Sequence, residues 1–545
     1  MQTTTPDPFQ TALEQFQWPW WGTPLIVVVV VLAIAGGVLF LVRSAGGNEV
    51  DKMQRYLRKG NRLTPVLYPA RLKATRTKLH PQVRDLPVGQ KTGTLVGARS
   101  TWVWQGWRDV ATYIFGTGRG KTSALVVRHM LEAPGAAVMT TNKVDGVSEV
   151  LAGRQHAGKQ WLYDPTQVYR HNKHPDFVYN PLDDVQSLTD AQELAAIFEA
   201  STKDADSKKD AQFDSQGLDL FAYALLGARL EGKSLRQVFE WIVNHQHQQI
   251  AEVMAKHGQI GPKLALEGMK NQPDKTRGSV YATAQRMASA IANDDLLAWA
   301  MTPGVRKFDP EAFVLSNDTA VLISRNGPGS GGAFVASLVR SIGKAGERAA
   351  SANGGRVRVP VVFELDEAAN VVRWPELPDL VSFYGSLGLV LGVYFQGWSQ
   401  MVRVFGQSGA EQLWTTSPIR VYGGGEDPLS PFLERFSKGI GTYDEYTTNR
   451  SHGPNGSTSS RTPRTKPILP VDVLAHLPEW RAVLSSTSVK PVLVQMRPWF
   501  EDKVLTAMVN GQDVRNGKIV KKTTTSETTT TTGAAAEGGP RVEPV

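Results

Sequence analysis

Lys121 and Thr122 follow three glycines at alternate positions, in a stretch that reads Ala-Thr-Tyr-Ile-Phe-Gly-Thr-Gly-Arg-Gly-Lys-Thr over residues 111–122. A short apolar run stops in this loop, and a helix-like segment from Ser123 to Leu131 follows. Strand, glycine loop, lysine-threonine and helix in that order make a phosphate cradle. Glycines let backbone N–H groups turn inward around phosphate oxygens with no Cβ in the way. The helix N-terminus adds a partial positive charge beneath the same oxygens. On this pattern Gly116, Thr117, Gly118, Arg119, Gly120, Lys121, Thr122 and Ser123 bind the phosphates of ATP. Lys121 reaches the β- and γ-phosphates, and the Thr122 hydroxyl ligates Mg2+. One position departs: the full pattern wants a glycine at 115, where Phe115 stands.

A second apolar run ends in two acids. Residues 359–367 read Val-Pro-Val-Val-Phe-Glu-Leu-Asp-Glu. Such a β-branched run suits a buried strand of a parallel sheet, and Asp366 lies at its C-terminal end, where open α/β sheets bind ligands. Asp366 is placed to hold Mg2+, and Glu367 to polarise the water that attacks the γ-phosphate. The pairing of the loop with this acid-ended strand points to nucleotide hydrolysis.

These groups need a rigid frame, and the chain has the means to build one. It has 545 residues, 41% of them hydrophobic, enough for two or three domains with a sizeable core. There is no cysteine, which excludes disulfides and thiolate metal sites. The net charge of +9 permits a nucleic-acid or anionic-membrane partner.

Residues 25–42 are wholly apolar, and no charged residue lies between Glu14 and Arg43. As a helix rising about 1.5 Å per residue, the run with its flanks is long enough to cross a bilayer core of about 30 Å. Trp18, Trp20 and Trp21 suit one interface. A cleaved signal peptide is disfavoured, because the preceding segment has no Lys or Arg and carries Asp7 and Glu14. The basic excess downstream, from Arg43 through Arg62, predicts a single-pass protein of the cytoplasmic membrane. Residues 1–24 are then outside and the catalytic part is in the cytoplasm.

Residues 43–93 read as a basic linker, free in solvent or lying on anionic lipid. Strand signals alternate with helices over 94–185 and return over 301–495, predicting one α/β core in two pieces. Expected strands include 136–141, 161–164, 319–324 and 389–395, with Arg420–Tyr422 the last. Between the pieces, residues 186–300 carry only helical periodicity and read as an all-helical insertion. His245 and His247 within it fit solvated side chains better than metal ligands. Residues 441–466 read as a mobile loop or a hairpin, and 517–545 as a disordered low-complexity tail.

In this order the motifs resemble the coupling-protein ATPases of conjugative type IV secretion systems, the TraG/TraD family. The resemblance spans roughly residues 95–495. It rests on residues 115–122, Val-Met-Thr-Thr-Asn-Lys (138–143), Tyr-Asn-Pro-Leu (179–182), Phe-Glu-Leu-Asp-Glu-Ala-Ala-Asn (363–370), the strand from Gly388 to Gln396, and Leu-Pro-Val-Asp-Val-Leu-Ala-His-Leu-Pro (469–478). It implies a RecA-like P-loop NTPase core and assembly as a homo-hexamer. It also implies a motor that takes relaxase-bound single-stranded DNA and pumps it toward the secretion channel, with the relaxase and channel proteins as partners. By position, Gln396 resembles the family's γ-phosphate sensor, beside Lys121 and Glu367 as catalytic residues.

The chain departs from the family at several points. Thr141 stands two residues ahead of Lys143 where an Asp is usual. Residues 384–388 read Tyr-Gly-Ser-Leu-Gly, without the usual arginine, which leaves Arg373, Arg325 and Arg403 as candidates for a charge reaching across a subunit interface. One apolar span stands where two are common. A translocase of the FtsK/HerA type, a protein-secretion ATPase and a non-hydrolysing cargo receptor are the competing readings.

Overall fold

The computed structural model describes residues 48–57, 69–171, 174–202, 211–327, 329–453, 456–487, 489–515 and 518–519. The predicted membrane span at 25–42 lies outside them, as does nearly all of the predicted tail. Among the described residues no helix is long and apolar enough to cross a membrane. The expected localisation, single-pass in the cytoplasmic membrane, is corrected accordingly: it rested on the apolar run with its flanking tryptophans and basic residues, and no described helix bears it out.

The frame is one large mixed sheet. In chain order its strands are β1 (Gln90–Leu95), β2 (Ala98–Gln105), β3 (Ala111–Ile114), β4 (Ala137–Thr141), β5 (Gln160–Tyr163), β6 (Thr319–Ile323), β7 (Val361–Leu365), β8 (Leu389–Phe395) and β9 (Ile419–Tyr422). Strands β10 (Thr442–Gly453) and β11 (Gly456–Pro467) form a separate hairpin, after which β12 (Arg481–Ser486) and β13 (Val489–Gln495) rejoin the sheet. The spatial order is β2-β1-β13-β12-β9-β3-β8-β7-β4-β6-β5. The segment from β9 to β5 is parallel, and β12, β13, β1 and β2 extend it antiparallel.

Parallel strands are buried on both faces, which is why they read as unbroken apolar runs. Side chains of β7 alternate between two cores. Val361, Phe363 and Leu365 face one, while Val362 faces the other, with Val126, Val127 and Met130 beside the glycine loop. Glu364 and Asp366 share the parity of Val362, so both lie on the side of the loop and its helix.

The sheet does not end at β9. Residues 481–495 add two antiparallel strands, and β1 begins at Gln90. Between β5 and β6 the chain is mostly helical, from Leu188–Thr202 through Ala211–Leu230, Asp274–Met287 and Pro310–Val314. Phe198, Phe221, Leu225, Val238, Ile242 and Met254 are buried there, each stabilising the packing by about 1.5–3 kcal/mol. His247 is not solvated: it is buried, with Nδ1 3.1 Å from the Tyr281 hydroxyl, and the His245 ring stacks on Tyr281 at 4.0 Å. Among the described residues no group of three His, Cys, Asp or Glu is arranged to hold a metal.

Candidate nucleotide-binding site

The glycine loop leaves the C-terminal end of β3, the middle strand of the whole sheet, between the parallel strands β9 and β8. Gly118 and Gly120 sit at φ +72° and +75°, backbone that a side chain rarely adopts. A Cβ on Gly120 would also lie 2.4 Å from the Trp480 ring. Trp480 itself has φ +62°, a costly conformation for a bulky residue.

Phe115 explains the altered pattern. It continues β3, its N–H bonding to the Phe395 carbonyl at 3.0 Å, and its ring is buried. The ring takes the space where Gly423 lacks a side chain, since a Cβ there would meet it at 2.1 Å. The glycine has in effect moved across the sheet from 115 to 423. The variant Phe115→Gly restores the motif on paper. It is expected to destabilise the protein by about 3–5 kcal/mol, the cost of emptying a buried Phe site, without tightening nucleotide binding. Urea unfolding and a nucleotide titration check both halves.

Four elements bring the candidate residues together. Lys121 Nζ lies 2.7 Å from Asp366 Oδ1 and 2.7 Å from Glu367 Oε1. The Thr122 hydroxyl donates to Asp366 Oδ2 at 3.1 Å. Gln396, just beyond β8, donates from Nε2 to both Glu367 oxygens at 2.8 Å. Asn370 donates to Glu367 Oε2 at 3.2 Å. Thr117 reaches Gln396 Oε1 at 3.4 Å. Glu367 has φ +55° and ψ +41°, so the chain turns sharply after β7 and aims this carboxylate at the loop. Thr140 of β4 fixes that turn by donating to the Asp366 carbonyl at 3.0 Å.

Burial would push Lys121 down, but the Asp366 and Glu367 carboxylates outweigh it and raise its pKa. Burial likewise works to raise Glu367, and the Lys121 cation outweighs it and holds the carboxyl below the usual range. Glu367 is therefore anionic at neutral pH.

A cleft of about 370 Å³ opens over this cluster. Its walls include residues 116–123, Glu367 and Gln396, together with Lys143, Asp145, Glu149 and Trp499. Asp145, Glu149 and Trp499 had no motif to announce them. The Thr122 hydroxyl and Asp366 Oδ2 are adjacent oxygen donors, which fits Mg2+, an ion that takes one or two protein oxygens and completes its shell from phosphate and water.

Beneath the site Glu364, fully buried, ties three elements together. His129, on the helix after the loop, places Nδ1 3.2 Å from Glu364 Oε1. The Tyr394 hydroxyl of β8 donates to Glu364 Oε2. The polar signal was visible as single charged or aromatic residues inside apolar runs, but nothing in one dimension pairs them. Arg119 donates to the Leu477 carbonyl. Arg403 reaches Asn370 Oδ1 at 3.2 Å, and Asn370 reaches Glu367. Arg373 bonds to the Ala369 and Ala200 carbonyls, and neither Arg373 nor Arg325 lines the cleft.

A mixed α/β fold with this loop and these acids defines a P-loop nucleotide-binding protein. Residues 360–479 match the family model described as the TraM recognition site of TraD and TraG. Among solved structures, the trigonal, sulphate-bound form of the bacterial conjugative coupling protein TrwBdeltaN70 is 16% identical. It covers 83% of this chain and 96% of its own, with a TM-score of 0.54. The unbound monoclinic form of TrwBdeltaN70 is 15% identical, covers 77% and 91%, and has a TM-score of 0.54. The plasmid coupling protein TrwB in complex with ADP and Mg2+ is 15% identical, covers 77% and 91%, and has a TM-score of 0.52. No curated protein matches the chain by sequence. Residues 360–479 thus resemble a segment of TraD and TraG, and the fold of the chain is similar to that of the TrwB structures.

Proposed function

We propose that the chain is an ATP-driven motor of conjugative transfer, passing relaxase-bound single-stranded DNA to a type IV secretion channel. The observation that carries this reading is the convergence of Lys121, Thr122, Asp366, Glu367 and Gln396 on one cleft at the C-terminal ends of β3, β7 and β8. Its RecA-like core works in a homo-hexameric ring, with residues 186–300 as a helical insertion domain. The segment matching the TraM-recognition model docks a protein partner of the transfer apparatus.

In this reading the backbone N–H groups of residues 116–121 and the helix N-terminus hold the phosphates of ATP. Lys121 exchanges its two carboxylates for phosphate oxygens as the nucleotide seats. That exchange frees Glu367 to orient the attacking water and accept its proton. Gln396 bonds to both Glu367 oxygens, so it moves with any change there and passes the state of the site into β8. Thr122 and Asp366 would hold Mg2+, which when bound would supply positive charge against the phosphate oxygens. DNA is gripped through its phosphates, since backbone contacts carry no sequence information and a motor must accept any sequence.

ATP turnover of the purified chain, measured with no nucleic acid, with single-stranded DNA and with duplex DNA, tests the reading. Stimulation by the single strand is expected. Preferential stimulation by duplex points instead to a translocase of double-stranded DNA. No turnover under any condition, with conjugative transfer intact in Lys121→Ala, would leave only a non-hydrolysing receptor.

A further inference from the structure

A second cleft of about 370 Å³ shares no residue with the first. It opens between the helices Trp398–Thr416 and Pro431–Ile440 and the strands β9, β12 and β13. One wall is aromatic. Trp398 and Phe432 stack with centroids 5.0 Å apart, Phe432 and Phe436 stack at 5.6 Å, and Trp414 meets Phe432 edge-on at 5.3 Å. The lining also includes Arg420, on β9 in register with Ser485 of β12.

Arg420 is the anomaly. Its Nε is buried and has no hydrogen-bond partner. Among the described residues no carboxylate lies within ion-pair distance of it, whereas the neighbouring Arg435 is paired with Glu411. Burial lowers the Arg420 pKa, and no countercharge opposes that. A half-buried guanidinium without a partner costs free energy, and such a group in a native structure calls for an explanation.

The chemistry of the missing partner follows from the walls. A guanidinium fork matches a carboxylate through two parallel hydrogen bonds. The aromatic wall favours a large apolar group beside that carboxylate. The cleft's one unpaired cation among the described residues does not suit a nucleic-acid strand, which needs a row of them. We propose that this cleft captures a short acidic peptide of a partner protein, with a carboxylate on Arg420 and a large apolar side chain against Trp398, Trp414 and Phe432. This rests on the reading that the segment around it docks a protein of the transfer apparatus, and it names the anchor point.

The test selects peptides from a random display library on the full chain, then titrates them on the wild type, Arg420→Met and Arg420→Lys. Recovered peptides are expected to share Asp or Glu next to an aromatic or branched apolar residue. They should bind Arg420→Met about 10–100-fold more weakly, the loss expected for a charge-assisted contact. Arg420→Lys keeps the charge without the fork and should fall between. Thermal melts establish that the variants fold, and unchanged ATP turnover in Arg420→Met shows that the nucleotide site is intact. A parallel titration with indole-3-acetate supplies the same carboxylate and ring as a free small molecule. The proposal is overturned if no peptide is recovered, if peptides bind Arg420→Met as tightly as wild type, or if only the free acid binds. Conjugative transfer by Arg420→Met is read separately: normal transfer refutes the partner reading and leaves the binding result standing.

Discussion

Glu367→Gln lowers ATP turnover by about 10²–10⁴-fold, the range a positioned general base supplies, while ATP affinity changes only a few-fold. The two effects separate because Glu367 is not needed to hold phosphate. The glycine loop, Lys121 and Thr122 remain, and Asp366 keeps its contacts with both at 2.7 and 3.1 Å. The amide at 367 occupies the same volume in the same left-handed turn, and Gln396 can still bond to it with its side-chain amide. What is lost is the proton acceptor. Single-turnover hydrolysis measured beside equilibrium nucleotide binding distinguishes this from a folding defect, which would lower both. Turnover equal to wild type would remove Glu367 from the mechanism. The same variant should block conjugative transfer at normal protein levels, since a ring that binds but does not hydrolyse stalls.

The candidate nucleotide site was legible because it is built from local rules. Alternating glycines, a lysine-threonine pair and a strand ending in acids each announce a backbone conformation within a few residues. Their convergence follows from topology: in parallel strands the C-terminal ends lie at one edge. What was not legible depends on contacts between distant segments. The meaning of Phe115 lies in Gly423, some three hundred residues on, whose missing side chain receives the ring. Trp480 and Trp499 approach the loop from beyond the hairpin, and only the folded chain places Trp480 against Gly120. Strands β12 and β13 escaped notice because Arg481–Ser486 ends in serines and Val489–Gln495 is interrupted by Lys490 and Pro491. Pairing with β9 and β1 supplied what propensity did not. Arg420 looked like an ordinary strand residue, and only its lack of a partner sets it apart.

Lys121→Ala should unfold more readily than the wild type by about 3–5 kcal/mol at neutral pH, the cost of stripping the partner from buried charges. It should also bind ATP about 10–100-fold more weakly, through loss of one charge-assisted contact. The pH dependence identifies the cause. In the wild type Glu367 is held below its usual value of 4.5. Its pairing therefore stabilises the fold above 4.5 and is lost as pH falls through the lower folded value. Lys121 is raised above 10.5, so its contribution is present below 10.5 and is lost as pH rises through the raised value. Remove the lysine, and the burial that works to raise Glu367 loses its chief opponent. The folded-state pKa then moves above 4.5, so the protonated carboxyl is tolerated in acid and its ionisation destabilises the fold as pH rises. The gap between wild type and variant should accordingly widen from pH 4.5 toward neutrality, which urea unfolding across that interval measures. Adding Glu367→Gln to Lys121→Ala removes one of the stranded charges and should recover part of the lost stability. A gap that stays constant with pH, or a double variant less stable than Lys121→Ala, would mean that the lysine supports the loop by packing and not as the counter-ion of the two acids.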